Sequence, residues 1–248
     1  LTGTPIRAKT TIVTATTFAD VYAIAPTGLS FDDKVKLEII GVSKLGRFIK
    51  QVLVRLKLLQ PNIIHSFTTV AIIPALIYKV LYNHRVKIVF EMHGWSWYET
   101  HGKLSLPRRI IFLSLDFLGL WTATRVIAVS NTERKFLLKK TLRRRRLVTV
   151  WDPVDFLMDY KSLPPSPTVK VGYIGNSERW QGLEHIITAA KLLEINPNIK
   201  FSLAGFNSDD HNRFPKLKNI TYVGRVERQD VPTFLQGCDL LISSRLRE

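Results

Sequence analysis

The chain has 248 residues, 46% of them apolar and 23% charged, which fits one large or two ordinary globular domains and excludes a disordered polymer. Its formal net charge of +16 calls for an anionic partner, either a membrane surface or nucleic acid. The single Cys238 excludes a disulfide framework and is compatible with a reducing compartment, and its apolar helix-to-strand setting reads as buried packing.

Strand and helix patterns alternate along the first part of the chain, an order that argues for parallel sheets. Strands are expected at 21–26, 36–42, 62–67, 87–93, 125–130 and 147–151, with helices at 43–60, 68–83, 107–122 and 131–141 between most of them. In the helix at 43–60, Leu45, Phe48, Ile49, Val52, Leu53, Leu56 and Leu59 share one face. The opposite face carries Arg47, Lys50 and Lys57 together with Val54 and Leu58, as an interfacial helix presents to anionic lipid; an ordinary solvated basic face fits the same residues. Residues 58–78 and 110–124 are apolar enough to be tested as membrane spans. The first holds Gln60, Pro61, Asn62, His65 and Pro74 and the second Asp116, so buried strand-plus-helix is the expectation for both. Ser130-Asn-Thr-Glu133 reads as a capping box. The run Arg143–Arg146 reads as a solvated or lipid-facing loop, because no aromatic residues interleave it and no nucleic-acid motif accompanies it.

Ser162-Leu-Pro-Pro-Ser-Pro-Thr168 is polar and proline-rich and reads as a linker, dividing the chain into residues 1–160, 161–168 and 169–248. The charge divides unequally. Residues 1–160 hold 24 Lys and Arg against 11 Asp and Glu, whereas 161–248 hold 12 against 9. Beyond the linker, Val169-Lys-Val-Gly-Tyr-Ile-Gly175 is a strand, six residues intervene, and Gly182 opens a helix with Leu183, Ile186, Ile187, Ala190 and Leu193 on one face. A strand that feeds a helix start through a glycine-bounded turn gathers backbone N–H groups and a positive dipole end, which suits a phosphate; an ordinary turn of a doubly wound sheet has the same pattern. Further strands at 199–206, 219–226 and 239–244 follow, with a short helix at 230–237 before the last.

These segments, in this order, resemble the donor-binding half of GT-B glycosyltransferases, in the large nucleotide-sugar-dependent retaining family called glycosyl transferases group 1. Upstream, Pro61-Asn-Ile-Ile-His-Ser66, Phe90-Glu-Met-His-Gly94, Arg125-Val-Ile-Ala-Val-Ser130 and Val148-Thr-Val-Trp-Asp-Pro-Val-Asp155 are similar to its "PDVVHxH", "DxHG", "ADRVIAVS" and "VIPNGVD" segments. The resemblance implies two Rossmann-like, doubly wound parallel-sheet domains, the second incomplete, facing each other across a cleft. It implies His93 as the catalytic residue, with His65 a weaker candidate, and Gly3, Gly94 and Ser130 lining the acceptor side. It implies a donor site of Gly175, Asn176, Arg179, Gln181, Gly182, Arg225, Val226 and Glu248. The family has Arg and Lys where Asn176 and Gln181 stand, so Arg179 between them is the candidate cation for the diphosphate. Glu248 falls near the first glutamate of the family's E-x7-E motif, and the chain reads as a C-terminally truncated piece.

Three functions fit these residues. The first is a retaining transferase that moves a sugar from a nucleotide donor to a glycan, lipid-linked or other polar acceptor. The second is a non-catalytic relative that binds sugar or a partner protein, and the third a basic nucleic-acid-binding protein supported by composition alone. The first is preferred, with an anionic membrane surface and no nucleic acid as partner, no metal or other cofactor, and a cytoplasmic location at the inner face of the membrane.

Overall fold

A computed structural model describes residues 3–25, 36–39, 45–141, 144–151, 166–178, 181–206 and 214–245. The chain divides into two compact units, Leu1–Pro153 and Val154–Glu248. Arg143, residues 161–165 of the proline-rich stretch, Arg179 and Glu248 lie outside the described residues.

The first unit runs α1 (Gly3–Ala15), β1 (Tyr22–Ala25), β2 (Lys36–Ile39), α2 (Leu45–Leu59), β3 (Ile63–Ser66), α3 (Ile72–Leu81), β4 (Lys87–Met92), a single turn α4 (Ser96–Glu99), α5 (Leu106–Thr122), β5 (Arg125–Ala128), α6 (Asn131–Leu138) and β6 (Leu147–Thr149). β1 and β2 form a small parallel pair, and β3-β4-β5-β6 form a parallel sheet in that order. Consecutive parallel strands need a crossover helix, and α3, α5 and α6 supply them. Ile88, Phe90, Val126 and Leu147 of this sheet are buried with Ile72 of α3, Leu120 of α5 and Leu137 of α6. Gly119 lets α5 press directly on the Phe90 ring, where any side chain would collide. On α2, Val52 and Leu56 are buried with Tyr78 and Val86, while Leu45 of the expected apolar face is exposed.

The second unit runs β7 (Val169–Ile174), α7 (Leu183–Leu192), β8 (Ile199–Ala204), β9 (Ile220–Gly224), α8 (Val231–Gln236) and β10 (Leu240–Leu241). Its four strands are parallel in the order β10-β7-β8-β9. Val171, Tyr173, Phe201 and Leu203 of the sheet enclose a core with Leu183, Ile186, Ile187 and Ala190 of α7. Cys238 lies against Gly172 and donates to the Phe234 carbonyl, and burial pushes its thiol up. It is a packing residue.

The strand expected at 239–244 is only Leu240–Leu241 and α4 falls outside the expected elements, but α1 and α5 depart furthest from the sequence expectations. α1 has no counterpart among the expected elements, because Thr10, Thr11, Ile12, Val13 and Thr14 are β-branched and weaken the helical signal. α5 was expected to be buried. Instead it buries Asp116, Gly119 and Leu120 and exposes Leu106, Ile110, Ile111, Leu118 and Trp121. A buried carboxylate with hydrogen-bond partners, rather than apolar residues all round, fixes its inner face.

Candidate functional site

The carboxyl edge of the β3-β4-β5-β6 sheet gathers a cluster of titratable side chains, His65, Glu91, His93, Glu99 and Glu133, at the position where open α/β sheets take their ligands. Glu91 interrupts the apolar strand Lys87-Ile-Val-Phe-Glu-Met92 and has a side chain only 1% exposed. A buried charge is tolerated only when paired, and three cationic or polar partners converge on it. Arg7 from α1 donates through Nε to Glu91 Oε1 at 2.6 Å and through Nη1 to the Trp151 carbonyl just beyond β6 at 2.7 Å. His65 Nε2 lies 3.1 Å from Glu91 Oε2, and because a carboxylate only accepts, that nitrogen carries the hydrogen. His93 Nε2 lies 2.9 Å from Glu91 Oε1 but off the line of a hydrogen bond, and it is buried with no hydrogen-bond partner among the described residues. Burial alone would raise the Glu91 carboxyl, but contacts with His65, His93 and Arg7 outweigh it and hold the group well below the usual carboxylate range.

Two further carboxyl groups sit within the field of His93. Ser130 caps α6, its Oγ accepting from Glu133 N at 3.1 Å, while Glu133 Oε2 accepts from Val129 N at 2.8 Å. The reciprocal capping pair is therefore present with the carboxylate shifted one residue upstream. Glu133 Oε1 is buried without a partner among the described residues, and burial pushes the group up to about 7 despite its backbone bond. Glu99 is exposed as a residue but turns its carboxyl group onto Gly94. Burial and the nearby Asp116 raise it, and His93 and Lys103 pull against that. Gly94 has φ +148°, and a Cβ there would strike the Glu99 carboxylate, so the turn after His93 requires glycine. Behind this turn Asp116 accepts from Ser96 N at 2.8 Å, Thr69 Oγ1 at 2.8 Å and Ser96 Oγ at 3.0 Å, pinning the start of α4 to α5. Gly3, expected on the acceptor side, is the first residue of α1.

In the second unit, Gly175 ends β7 and Gly182 caps α7 in the left-handed region at φ +66°. A Cβ on Gly182 would strike the Ser244 backbone, and Ser244 Oγ reaches the carbonyls of Gln181 and Gly182 at 2.9 and 2.8 Å. The start of α7 is thus locked to the segment after β10. Gln181 is buried and its N–H donates to the Glu178 carbonyl, whereas exposed Asn176 accepts from Glu178 N at 3.2 Å. Arg225 and Glu227 form an exposed ion pair at 3.5 Å, with half-buried Val226 between them. Among the described residues no group of His, Cys, Asp and Glu has the arrangement of a metal site.

The motifs do not mark Glu91, Arg7, Glu99 or Glu133 as candidate site residues. A lone acid inside an apolar strand was the available signal for Glu91; Arg7 gave none, since its partner lies 84 residues away.

Two parallel four-stranded sheets of this kind place the chain in the GT-B class, and solved structures agree. Anabaena Alr3699/HepE, crystallised with UDP-glucose, superimposes with TM-score 0.69 at 16% identity over 98% of this chain and 70% of that one. Sucrose-phosphate synthase from Thermosynechococcus elongatus gives 0.72 at 13% identity over 93% and 66%. The lipopolysaccharide outer core galactosyltransferase WaaB gives 0.67 at 12% identity over 98% and 70%. No curated protein sequence matches the chain. Residues 18–156 match the model of Glycosyltransferase Family 4 and residues 158–248 that of Glycosyl transferases group 1. The chain belongs to this glycosyltransferase family.

Proposed function

We propose that the protein moves a sugar from a nucleotide-sugar donor to a polar or lipid-linked acceptor, with retention of configuration, at an anionic membrane surface. The observation that carries this reading is His93 at the end of β4, beside a buried and ionised Glu91. Same-face substitution develops positive charge on the sugar ring as the diphosphate departs. Negative charge on Glu91 behind the imidazoles of His65 and His93 favours that state, and an imidazole edge can hydrogen-bond sugar hydroxyls. The diphosphate is assigned to the N–H groups at the Gly182 start of α7, with Arg179 as the cation. The UDP-glucose held by HepE supports the donor class.

The membrane part of the reading rests on α2, where Val54 and Leu58 stand exposed among exposed Arg47, Lys50, Arg55 and Lys57. No helix among the described residues is long and apolar enough to cross a membrane, so contact through this element is interfacial.

A non-catalytic, sugar- or partner-binding relative is the second reading. It is favoured by Asn176 and Gln181, which carry no charge, the Asn176 side chain already accepting from Glu178 N. Calorimetry with UDP-, GDP- and ADP-sugars on the full-length protein, followed by turnover of His93→Ala, separates the two. The transferase reading expects one donor class to bind and turnover to fall about a hundredfold, the usual cost of one transition-state hydrogen bond. Wild-type turnover in His93→Ala would overturn the assignment, and donor binding without any turnover would favour the second reading.

A further inference from the structure

α5 is apolar on both faces, packing Leu113, Phe117 and Leu120 on the core, with its one carboxylate turned inward. Its inner face carries fully buried Asp116, held by Thr69 and Ser96, with Gly119 and Leu120 beside it. Its outer face carries Leu106, Ile110, Ser114, Leu118 and Trp121 in one helical row, flanked by Pro107 and Ile111, and every one of these is exposed. No charge interrupts that row. Ile111 is 58% and Trp121 52% exposed, so about half of the stripe's surface is open to solvent along a 17-residue helix about 26 Å long. Scattered exposed apolar residues are ordinary, but a continuous uncharged stripe on a helix that keeps its carboxylate inside marks a surface that something apolar covers.

Charge decides what covers it. Residues 96–147 hold twelve Lys and Arg against three Asp and Glu, and one of those acids, Asp116, is buried. Lys103 and Arg108 stand exposed at the amino end of α5. At the carboxyl end Trp121 Nε1 donates to the Lys140 carbonyl, Arg146 Nη1 donates to the Ala123 carbonyl, and Lys139, Arg144 and Arg145 are exposed nearby. A second copy packed along the stripe would bring basic rim against basic rim whichever way it ran. An apolar stripe with cations at both ends and a tryptophan at one fits a bilayer interface with anionic headgroups.

We propose that the outer face of α5 docks on an anionic lipid bilayer, with Leu106, Ile110, Ile111, Leu118 and Trp121 at the headgroup-acyl boundary and Lys140 and Arg146 among the headgroups. The inference deepens the membrane reading above and rests on it, adding a contact helix that the α2 face does not include. It also joins the membrane to the chemistry. Asp116 on the opposite side of α5 holds Ser96, three residues from His93, so the helix that meets the lipid positions the turn at the candidate site.

The test is co-sedimentation of the full-length protein with phosphatidylcholine vesicles, with and without phosphatidylglycerol, at low and high salt. It compares wild type, an α5 variant (Ile110→Ser, Leu118→Ser, Trp121→Ser) and an α2 variant (Val54→Ser, Leu58→Ser), with thermal melts and sizing beside each. The expected result is salt-sensitive binding to phosphatidylglycerol vesicles that the α5 variant weakens at least about tenfold without losing its melting transition. A second measurement leaves the stripe almost intact: brominated lipid quenches the fluorescence difference between wild type and Trp121→Phe. Loss of binding in the α2 variant with wild-type binding in the α5 variant would overturn the α5 inference and leave the membrane reading standing. Absence of wild-type binding to either vesicle would overturn both. An α5 variant that changes oligomeric state while binding vesicles normally would assign the stripe to a protein contact and overturn the proposal.

Discussion

Glu91 lies within β4 and Glu133 in α6, which follows the neighbouring β5; both are close to His93, and their protonation equilibria are displaced in opposite directions. The Glu91 carboxyl is held down in the fold, so its contribution to stability is complete above the unfolded carboxylate range near pH 4.5 and is lost as pH falls below it. Glu133 is raised from 4.5 to about 7, so the folded protein binds the extra proton between those values, and stability falls as pH rises through that window. Glu133→Gln is therefore expected to flatten the stability-pH curve between pH 4.5 and 7, where the wild-type slope from this one group is at most about 1.4 kcal/mol per pH unit. Urea unfolding at several pH values measures it, and an unchanged slope would contradict the burial of that carboxyl. Glu91→Gln is expected to cost about 3–5 kcal/mol, because it leaves the nearly inaccessible Arg7 guanidinium facing a neutral amide. Glu91→Gln should also lower turnover beyond any loss of folded protein, read as kcat on the folded fraction. The strand-end place of His93 was legible from its motif, and Glu91 could have been read as an acid in an apolar strand. Arg7 could not, since a contact made by residues 84 apart depends on where α1 packs.

Most elements were legible because each strand is a short β-branched or aromatic run and each crossover helix has a clear apolar period. β4 at 87–92 and α7 at 183–192 fall within a residue or two of expectation. Where sequence and structure part, local preference loses to packing. α1 is a helix of β-branched residues whose Arg7 and Ala8 are buried, and α5 turns its carboxylate inward. The turns also hide constraints that no periodicity reveals. Gly182→Ala would add the cost of a left-handed alanine, about 1–2 kcal/mol, to a collision with the Ser244 backbone. The expected outcome is a melting point several degrees lower and a displaced α7 start with weaker donor affinity, measured by calorimetry and nucleotide-sugar titration. Donor affinity equal to wild type would remove the α7 start from the phosphate assignment.

At the scale of the whole chain, each compact unit has a core of its own. Ile88, Phe90 and Val126 are buried in the first unit with helices of that unit, and Phe201, Leu203 and Ile186 are buried in the second with its own α7. Hydrophobic stabilisation belongs to the atoms that exclude water together, so truncating a side chain in one core should be felt in that unit's unfolding before the other's. Ile88→Ala and Leu203→Ala each empty a site that is 0% exposed, a change that costs about 2–5 kcal/mol in a packed interior. Scanning calorimetry of the full-length protein is expected to show two transitions, with Ile88→Ala lowering one and Leu203→Ala the other. If both substitutions lowered a single transition equally, the two cores would be melting as one cooperative body, and the division near residue 153 would be one of geometry alone.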